Sequence, residues 1–148
     1  MPGLVLKLAP NERIYINGAI VENGARRTEL ALPTPDTEIL RERDIIDCAS
    51  ATDTLGAACG LAQTALMRRH GRDEICSRLK TQFSALLRDP ATRGNPHVLA
   101  AAQRFSEGSL SGAHYLLLRA IRERGAKAER RSSDGHPEGA ATVADQGM

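Results

Sequence analysis

Aromatic residues are scarce in this sequence. They make up 3% of its 148 residues, with no tryptophan, two tyrosines and two phenylalanines. Aromatic rings supply the largest buried areas in most cores, so the 41% of hydrophobic residues must build an aliphatic core of modest stability. The length predicts one domain, or a small domain with an appended helical part.

Motifs of catalysis and metal binding are missing as well. The sequence has no GxxxxGK[ST], GxGxxG, HExxH or paired CxxC pattern, and its four histidines are scattered. His114 is expected to be a helix-packing residue. Cys48, Cys59 and Cys76 fit no metal-ligand spacing and indicate reduced, structural thiols. We therefore predict a non-enzyme with no cofactor and no bound metal.

The sequence also lacks a secretion signal and a membrane-spanning run. Its start, Met1-Pro2-Gly3-Leu4, has no basic region followed by a long apolar stretch. No segment approaches the roughly 20 apolar residues that a membrane helix needs. Together with the cysteine pattern, these absences predict a cytoplasmic protein with no membrane partner.

The formal net charge of +2 is unevenly distributed along the chain. Residues 1–47 contain six lysines and arginines against eight acidic residues, whereas residues 48–124 contain eleven against six. The positive excess therefore lies in the middle of the chain. Any nucleic-acid site in the first part must be a local arginine patch, or one shared with the basic helices that follow.

Short alternating stretches separated by turn residues fill the first 47 positions. In Arg13-Ile14-Tyr15-Ile16 the isoleucines share one face, which leaves Arg13 and Tyr15 on the other. Asn17-Gly18 predicts a type I′ hairpin, and Asn23-Gly24 repeats that turn chemistry six residues later. With further strands near 4–8, 27–32 and 38–41, the pattern predicts a small antiparallel sheet or sandwich.

From about Ser50 the apolar period becomes helical, and four short helices are expected. The second should run from about Arg72 to Arg88, Asn95-Pro96 should begin the third, and Ser109 and Gly125 should bound the fourth. Beyond Gly125 the periodicity is lost, which predicts a disordered tail. The sequence thus predicts an α+β protein, with a β-rich domain over 1–47, a helical part over 48–125 and a tail over 126–148.

One pattern near the N-terminus is distinctive. It reads Leu6-Lys7-Leu8-x-Pro10-x-Glu12-Arg13-x-x-Ile16-Asn17-Gly18-Ala19-x-x-x-Asn23-Gly24-x-Arg26-Arg27, and continues in Leu40-Arg41-Glu42-Arg43-Asp44-Ile45. This pattern resembles the flagellar biosynthesis repressor FlbT family over about 45 residues. The resemblance continues more weakly at Gln63, at Asn95-Pro96, and at Gly112-Ala113-His114-Tyr115 with Arg119.

The resemblance implies post-transcriptional control of flagellin in alphaproteobacteria. FlbT-like proteins associate with the 5′ untranslated region of flagellin messenger RNA and promote its decay, which makes the flagellin mRNA leader the expected partner. The competing function is a protein-interaction module that acts on a flagellar regulatory protein without direct RNA contact. The acidic first part and the low aromatic content favour this competitor. Homo-oligomerisation through the alternating-charge run or an open sheet edge is compatible with either function.

The candidate RNA-binding residues are Arg13, Tyr15, Arg26, Arg27, Arg43, Arg68 and Arg69. Arginines can bind a phosphate backbone, and a tyrosine beside an arginine can stack an unpaired base. Structural alternatives stay open for all of them except Arg13. Arg26 and Arg27 can pair with Glu12, Glu22 or Glu29. Tyr15 can pack beneath the helices, Arg43 can join an ion-pair network, and Arg68-Arg69 can complement a helix dipole.

Overall fold

Five strands and four helices make up the described part of the chain. The computed structural model describes residues 4–35, 37–46 and 53–134, with side chains up to residue 126. The strands are β1 (Leu4–Leu8), β2 (Arg13–Ile16), β3 (Ala19–Glu22), β4 (Thr28–Leu32) and β5 (Ile39–Arg41). The helices are α1 (Thr54–Leu66), α2 (Arg72–Arg88), α3 (Pro96–Ser106) and α4 (Leu110–Asp134). The predicted α+β class is confirmed.

The strands form two small antiparallel sheets. In the first sheet β1 pairs with β4, and in the second β2 lies between β3 and β5. Leu6, Leu8 and Ile14 form a buried cluster between the sheets, with partly buried aliphatic side chains from the other three strands and from β2 around it. The β-rich part is therefore a small sandwich.

The other face of the three-stranded sheet contacts the helices. Tyr15 and Leu40 are cross-strand partners on β2 and β5. Leu40 is buried in the main helical core, and Tyr15 packs against that core in a half-buried position. Because successive residues of a strand point to opposite faces, β2 contributes Ile14 to the sandwich and Tyr15 to the helical layer. The fold thus has three layers: a two-stranded sheet, a three-stranded sheet and the helices.

The predicted type I′ hairpin joins β2 and β3. Asn17 and Gly18 have φ angles of 50° and 83°, as this turn requires. The turn lies against the end of α1, because a Cβ atom on Gly18 would collide with the Arg68 carbonyl, whose carbon is 2.6 Å away. Gly18 is therefore required both by its backbone conformation and by this contact.

The predicted second turn, at Asn23-Gly24, was wrong. Neither residue has a positive φ, and Asn11 adopts one instead, at 61°. The side-chain amide of Asn23 donates hydrogen bonds to the carbonyls of Ala9 at 2.7 Å and Arg26 at 2.8 Å. These bonds hold an open connection between β3 and β4, so Asn23 serves as a bridge between loops.

The predicted boundaries hold for the starts of α3 and α4 and for the whole of α2. The Asn95 side chain accepts from the His97 N–H at 2.8 Å, and the Ser109 hydroxyl accepts from the Gly112 N–H at 3.3 Å. Helix α2 runs over Arg72–Arg88 as predicted. Helix α1 begins after Asp53, whose carboxylate accepts from the Gly56 N–H at 3.0 Å. The predicted start near Ser50, Cys48 and the predicted boundary at residue 47 lie outside the described residues. Cys59 and Cys76 form no disulfide with another described residue.

Helix α4 does not end at Gly125, where the sequence predicted its end. It continues to Asp134. A glycine inside a helix costs only about 1 kcal/mol relative to alanine, and the neighbouring residues Glu123, Arg124 and Ala126 all favour helix. The predicted boundary at 125 therefore divides a continuous helix. The rest of the predicted tail, residues 135–148, lies outside the described residues.

Candidate functional site

Three of the predicted arginines lie at one end of the sandwich. Arg13 begins β2 opposite Glu22 of β3. The Asn23 N–H donates to the Glu12 carbonyl at 2.8 Å, and the Asn23 amide donates to the Arg26 carbonyl at 2.8 Å. These bonds place the connection that carries Arg26 and Arg27 beside the start of β2. All three arginine side chains are exposed.

A Glu12–Arg41 ion pair lies beneath this end of the sandwich. The Arg41 guanidinium donates to both Glu12 carboxylate oxygens, at 2.8 and 2.9 Å, and to the Lys7 carbonyl at 2.6 Å. Burial opposes ionisation of Glu12, but the hydrogen bond from the Ala9 N–H and the charges of Arg41 and Arg43 outweigh it and lower the pKa of Glu12. Arg41 therefore holds β1, β2 and β5 together.

Arg43 lies at the same end of the sandwich. It is exposed in the 3₁₀ turn Glu42–Asp44 that follows β5, close enough to Glu12 to contribute to its lowered pKa. Arg13, Arg26, Arg27 and Arg43 are called the sheet-end arginines below. Of these arginines, Arg27 lines a groove of about 260 Å³, together with Lys7, Leu8, Thr28 and Glu29.

Arg68 and Arg69 lie at the other end of β2. They follow α1 and contact the hairpin turn at Gly18. Arg72 donates to the Arg68 carbonyl at 2.7 Å and forms an ion pair with Glu38. The four residues of β2 separate the two ends by about 10 Å, at roughly 3.3 Å per residue. The structure therefore divides the predicted arginines into two groups.

Tyr15 shares the helix-facing side of β2 with Arg13 but lies under the helices. Its ring packs against the helical core in a half-buried position, so its environment matches the packing alternative. Tyr115, which sequence reasoning did not select, is 55% exposed on α4. The spacing of four residues between Tyr115 and Arg119 is the sequence signal that was available for it.

The acidic side chains near these sites form ion pairs with arginines that are not among the candidate RNA-binding residues. Glu12, Glu38, Asp44 and Asp53 pair with Arg41, Arg72, Arg122 and Arg124, respectively. Within the described residues, no carboxylate oxygen lies within 4.0 Å of a guanidinium nitrogen of the sheet-end arginines, Arg68 or Arg69. The alternative of Arg26 and Arg27 pairing with Glu12, Glu22 or Glu29 is therefore not seen in the described part of the chain.

His114 is a buried ionisable residue of the helical core. It is 3% exposed, and its Nε2 atom has no hydrogen-bond partner among the described residues. Burial lowers the pKa of His114 to about 4, with Asp44 raising it and Arg122 lowering it further by smaller amounts. A neutral histidine that packs in the core fits the helix-packing role expected for it.

The described part of the chain offers neither a metal-ligand cluster nor a membrane-spanning helix. Where side chains are described, no three His, Cys, Asp or Glu residues come together as metal ligands. Among the described helices, none is both long enough and apolar enough to span a membrane. A groove of about 500 Å³ lies between α1 and α2, lined by Ala57, Gly60, Leu61, Thr64, Arg78, Thr81 and Gln82.

One known protein family matches this chain over both the sandwich and the helices. The family described as flagellar protein FlbT matches residues 4–128. The chain belongs to the FlbT family. A curated FlbT relative from Caulobacter sp. (strain K31), named a probable flagellum biosynthesis repressor protein, is 31% identical over 121 residues. The match covers 78% of this chain and 85% of that relative.

The FlbT resemblance drawn from the N-terminal pattern is thereby confirmed over most of the chain. The matched residues 4–128 include both groups of arginines, and they also include Gln63, Tyr115 and Arg119. No solved structure of another protein matches this chain.

Proposed function

We propose that this FlbT-family chain is a post-transcriptional repressor of flagellin expression. It binds the 5′ untranslated region of flagellin messenger RNA and promotes degradation of that message. The family and the name of the Caulobacter relative support a role in repressing flagellum biosynthesis. The observation that carries the RNA contact is the set of exposed arginines that have no carboxylate partner within the described residues.

Arginines without an acidic partner suit phosphate binding. Each guanidinium that neutralises a phosphate releases counterions, which favours binding at low salt. The sheet-end arginines converge on one end of a rigid sandwich, because Glu12 and Arg41 fix the strands beneath them. Cleavage of the message is assigned to a host ribonuclease, or to exposure of the bound RNA, in the cytoplasm where the message is translated.

A mobility-shift titration over a salt series tests this proposal. The double variant Arg26→Ala/Arg27→Ala should bind the flagellin leader more weakly, and the slope of log affinity against log salt should fall by about 0.7 per lost contact. The double variant Arg88→Ala/Arg93→Ala, also at exposed positions, removes the same charge elsewhere and should bind as the wild type does. Unchanged affinity and slope in the first variant would exclude Arg26 and Arg27 from the site.

The alternative function is regulation of flagellar assembly through a protein partner, without direct RNA contact. The acidic balance of residues 1–47 favours it, and so does the largely apolar groove between α1 and α2. A complex that survives nuclease treatment, from a protein that shows no mobility shift with the leader RNA, would select this alternative over the RNA-binding proposal.

A further inference from the structure

Tyr115 is the aromatic residue that the fold leaves in solvent. The chain has four aromatic residues. Phe83 is buried, and its ring stacks on Phe105 at a centroid distance of 5.2 Å. Tyr15 and Phe105 are half-buried against the helical core, whereas Tyr115 is 55% exposed. In a protein so poor in aromatic residues, core packing does not account for this ring.

Two arginines flank Tyr115 on the same surface. Arg119 lies four residues later on α4, which places it one turn away on the same helix face. Arg104 reaches across from α3 to Gly112, one turn before Tyr115. Its Nε and Nη2 atoms lie 3.0 Å from the position that a Cβ atom on Gly112 would occupy. Gly112 thus lets the Arg104 guanidinium lie close against α4.

The surrounding charge is positive. The helical hairpin over residues 96–126 contains four arginines and two glutamates. Of these glutamates, Glu123 contacts the His97 ring at 2.8 Å and Arg119 at 3.4 Å, both at the surface. Exposed pairs of this kind are weak because water and salt screen them, so a phosphate group can compete with Glu123 for the Arg119 guanidinium.

This surface is joined to the sheet-end arginines. Arg122, on the next turn of α4 after Arg119, forms an ion pair with Asp44 at 3.3 Å. Asp44 is the neighbour of Arg43 in the 3₁₀ turn. The contact places the α4 surface beside the end of the sandwich where the proposed RNA contacts lie. A single RNA strand can therefore reach both.

An exposed tyrosine between two arginines is suited to single-stranded RNA. The ring offers a face for an unpaired base, and the guanidinium groups offer contacts to the phosphates on either side. We infer that Tyr115 stacks an unpaired base of the bound RNA, and that Arg104 and Arg119 contact the flanking phosphates. This inference rests on the RNA-binding function proposed above and adds the position at which a base is held.

Fluorescence anisotropy with labelled flagellin leader RNA tests the inference in the full-length protein. Tyr115→Leu should weaken binding by about 5- to 150-fold, the range measured for loss of one stacked base. Tyr115→Phe keeps the ring and should bind within about twofold of the wild type. Leu87→Ala changes another exposed hydrophobic side chain, 39% exposed on α2, and should leave binding unchanged. Circular dichroism confirms that each variant is folded.

The outcomes separate the inference from the proposed function. Wild-type binding that Tyr115→Leu leaves unchanged would overturn the stacking inference and leave the proposed function standing. Equal weakening by Tyr115→Phe and Tyr115→Leu would also overturn it, because the ring would not be the recognised feature. Absence of RNA binding by the wild type would overturn both. Loss of a protein partner by Tyr115→Leu, with RNA binding unchanged, would assign this surface to protein docking instead.

Discussion

The Gln63 side chain pairs with both backbone groups of Ile46. Its Oε1 atom accepts from the Ile46 N–H at 2.9 Å, and its Nε2 atom donates to the Ile46 carbonyl at 3.0 Å. Gln63 is 7% exposed in the last turn of α1, and Ile46 follows the 3₁₀ turn after β5. The Gln63 amide thus bonds the N–H and the carbonyl of one residue, as a paired residue on an adjacent strand would. It fixes the end of the sandwich on the helical layer.

Replacing Gln63 should destabilise the fold. In Gln63→Leu, both backbone groups of Ile46 lose their hydrogen bonds to the Gln63 amide in a partly buried setting, which should lower the free energy of unfolding by about 2–3 kcal/mol. Gln103→Leu, at an exposed position of α3 where Gln103 bonds Glu107, is the matched control and should stay within about 0.5 kcal/mol. Urea unfolding measures both. Equal stability of the two variants would remove Gln63 from this role.

Gly18 should tolerate no side chain. Gly18→Ala would place a Cβ against the Arg68 carbonyl, in a backbone with φ of 83°, and should lower the free energy of unfolding by about 1–3 kcal/mol. Gly24→Ala should have almost no effect, since nothing lies within 4 Å of an added Cβ there. Thermal unfolding of the two variants checks the comparison. A stable Gly18→Ala protein would mean that the hairpin does not dock on α1.

Local sequence signals predicted the parts of the fold that depend on neighbouring residues. Asn17-Gly18 is a hairpin because both positions need positive φ, and Asn95-Pro96 starts a helix because its cap bond spans two residues. Strand parity placed Arg13 and Tyr15 on one face. It did not show which layer would cover that face, because that depends on helices far along the chain.

Contacts between distant residues account for the parts that were missed. Asn23 bonds Ala9, 14 residues away, and Arg41 bonds Glu12, 29 residues away. Pairs so far apart along the chain produce no recognisable motif in the sequence. The same limit applies to the candidate site, whose arginines were selected by type but not by position. Their division between the two ends of β2 follows from strand register and from the docking of α1 on the hairpin.

Burial of His114 should make stability depend on pH. Its pKa falls from 6.5 to about 4 on folding, so the unfolded chain binds more protons between these values. Stability should therefore decrease as the pH falls from 6.5 toward 4, by about 1.4 kcal/mol per pH unit. The pKa values of Glu12 and Asp53 are lowered on folding, so the stability that they contribute is lost only below about pH 4.5.

His114→Leu removes this dependence from the helical core. Urea unfolding at several pH values between 4.5 and 7 should show a smaller slope for this variant than for the wild type, whatever its absolute stability. Parallel curves for the two proteins would show that His114 is not buried in its neutral form.

Continuation of α4 through Gly125 can be tested by adding a methyl group. Gly125→Ala should raise the free energy of unfolding by about 0.5–1 kcal/mol, because nothing lies within 4 Å of the added Cβ and alanine favours helix. Gly108→Ala, at a residue with φ of 87°, should be destabilised. A destabilised Gly125→Ala protein would indicate that the helix ends at Gly125, as the sequence alone predicted.

Ultraviolet crosslinking of the purified protein to the flagellin leader RNA tests the central claim most directly. After nuclease digestion, mass spectrometry identifies the peptides that retain a nucleotide. Direct RNA binding predicts crosslinked peptides from the sheet-end arginine segments and from the α4 segment that contains Tyr115. Absence of any crosslink, under conditions where the same RNA crosslinks to a known RNA-binding protein, would contradict RNA binding and favour the protein-interaction alternative.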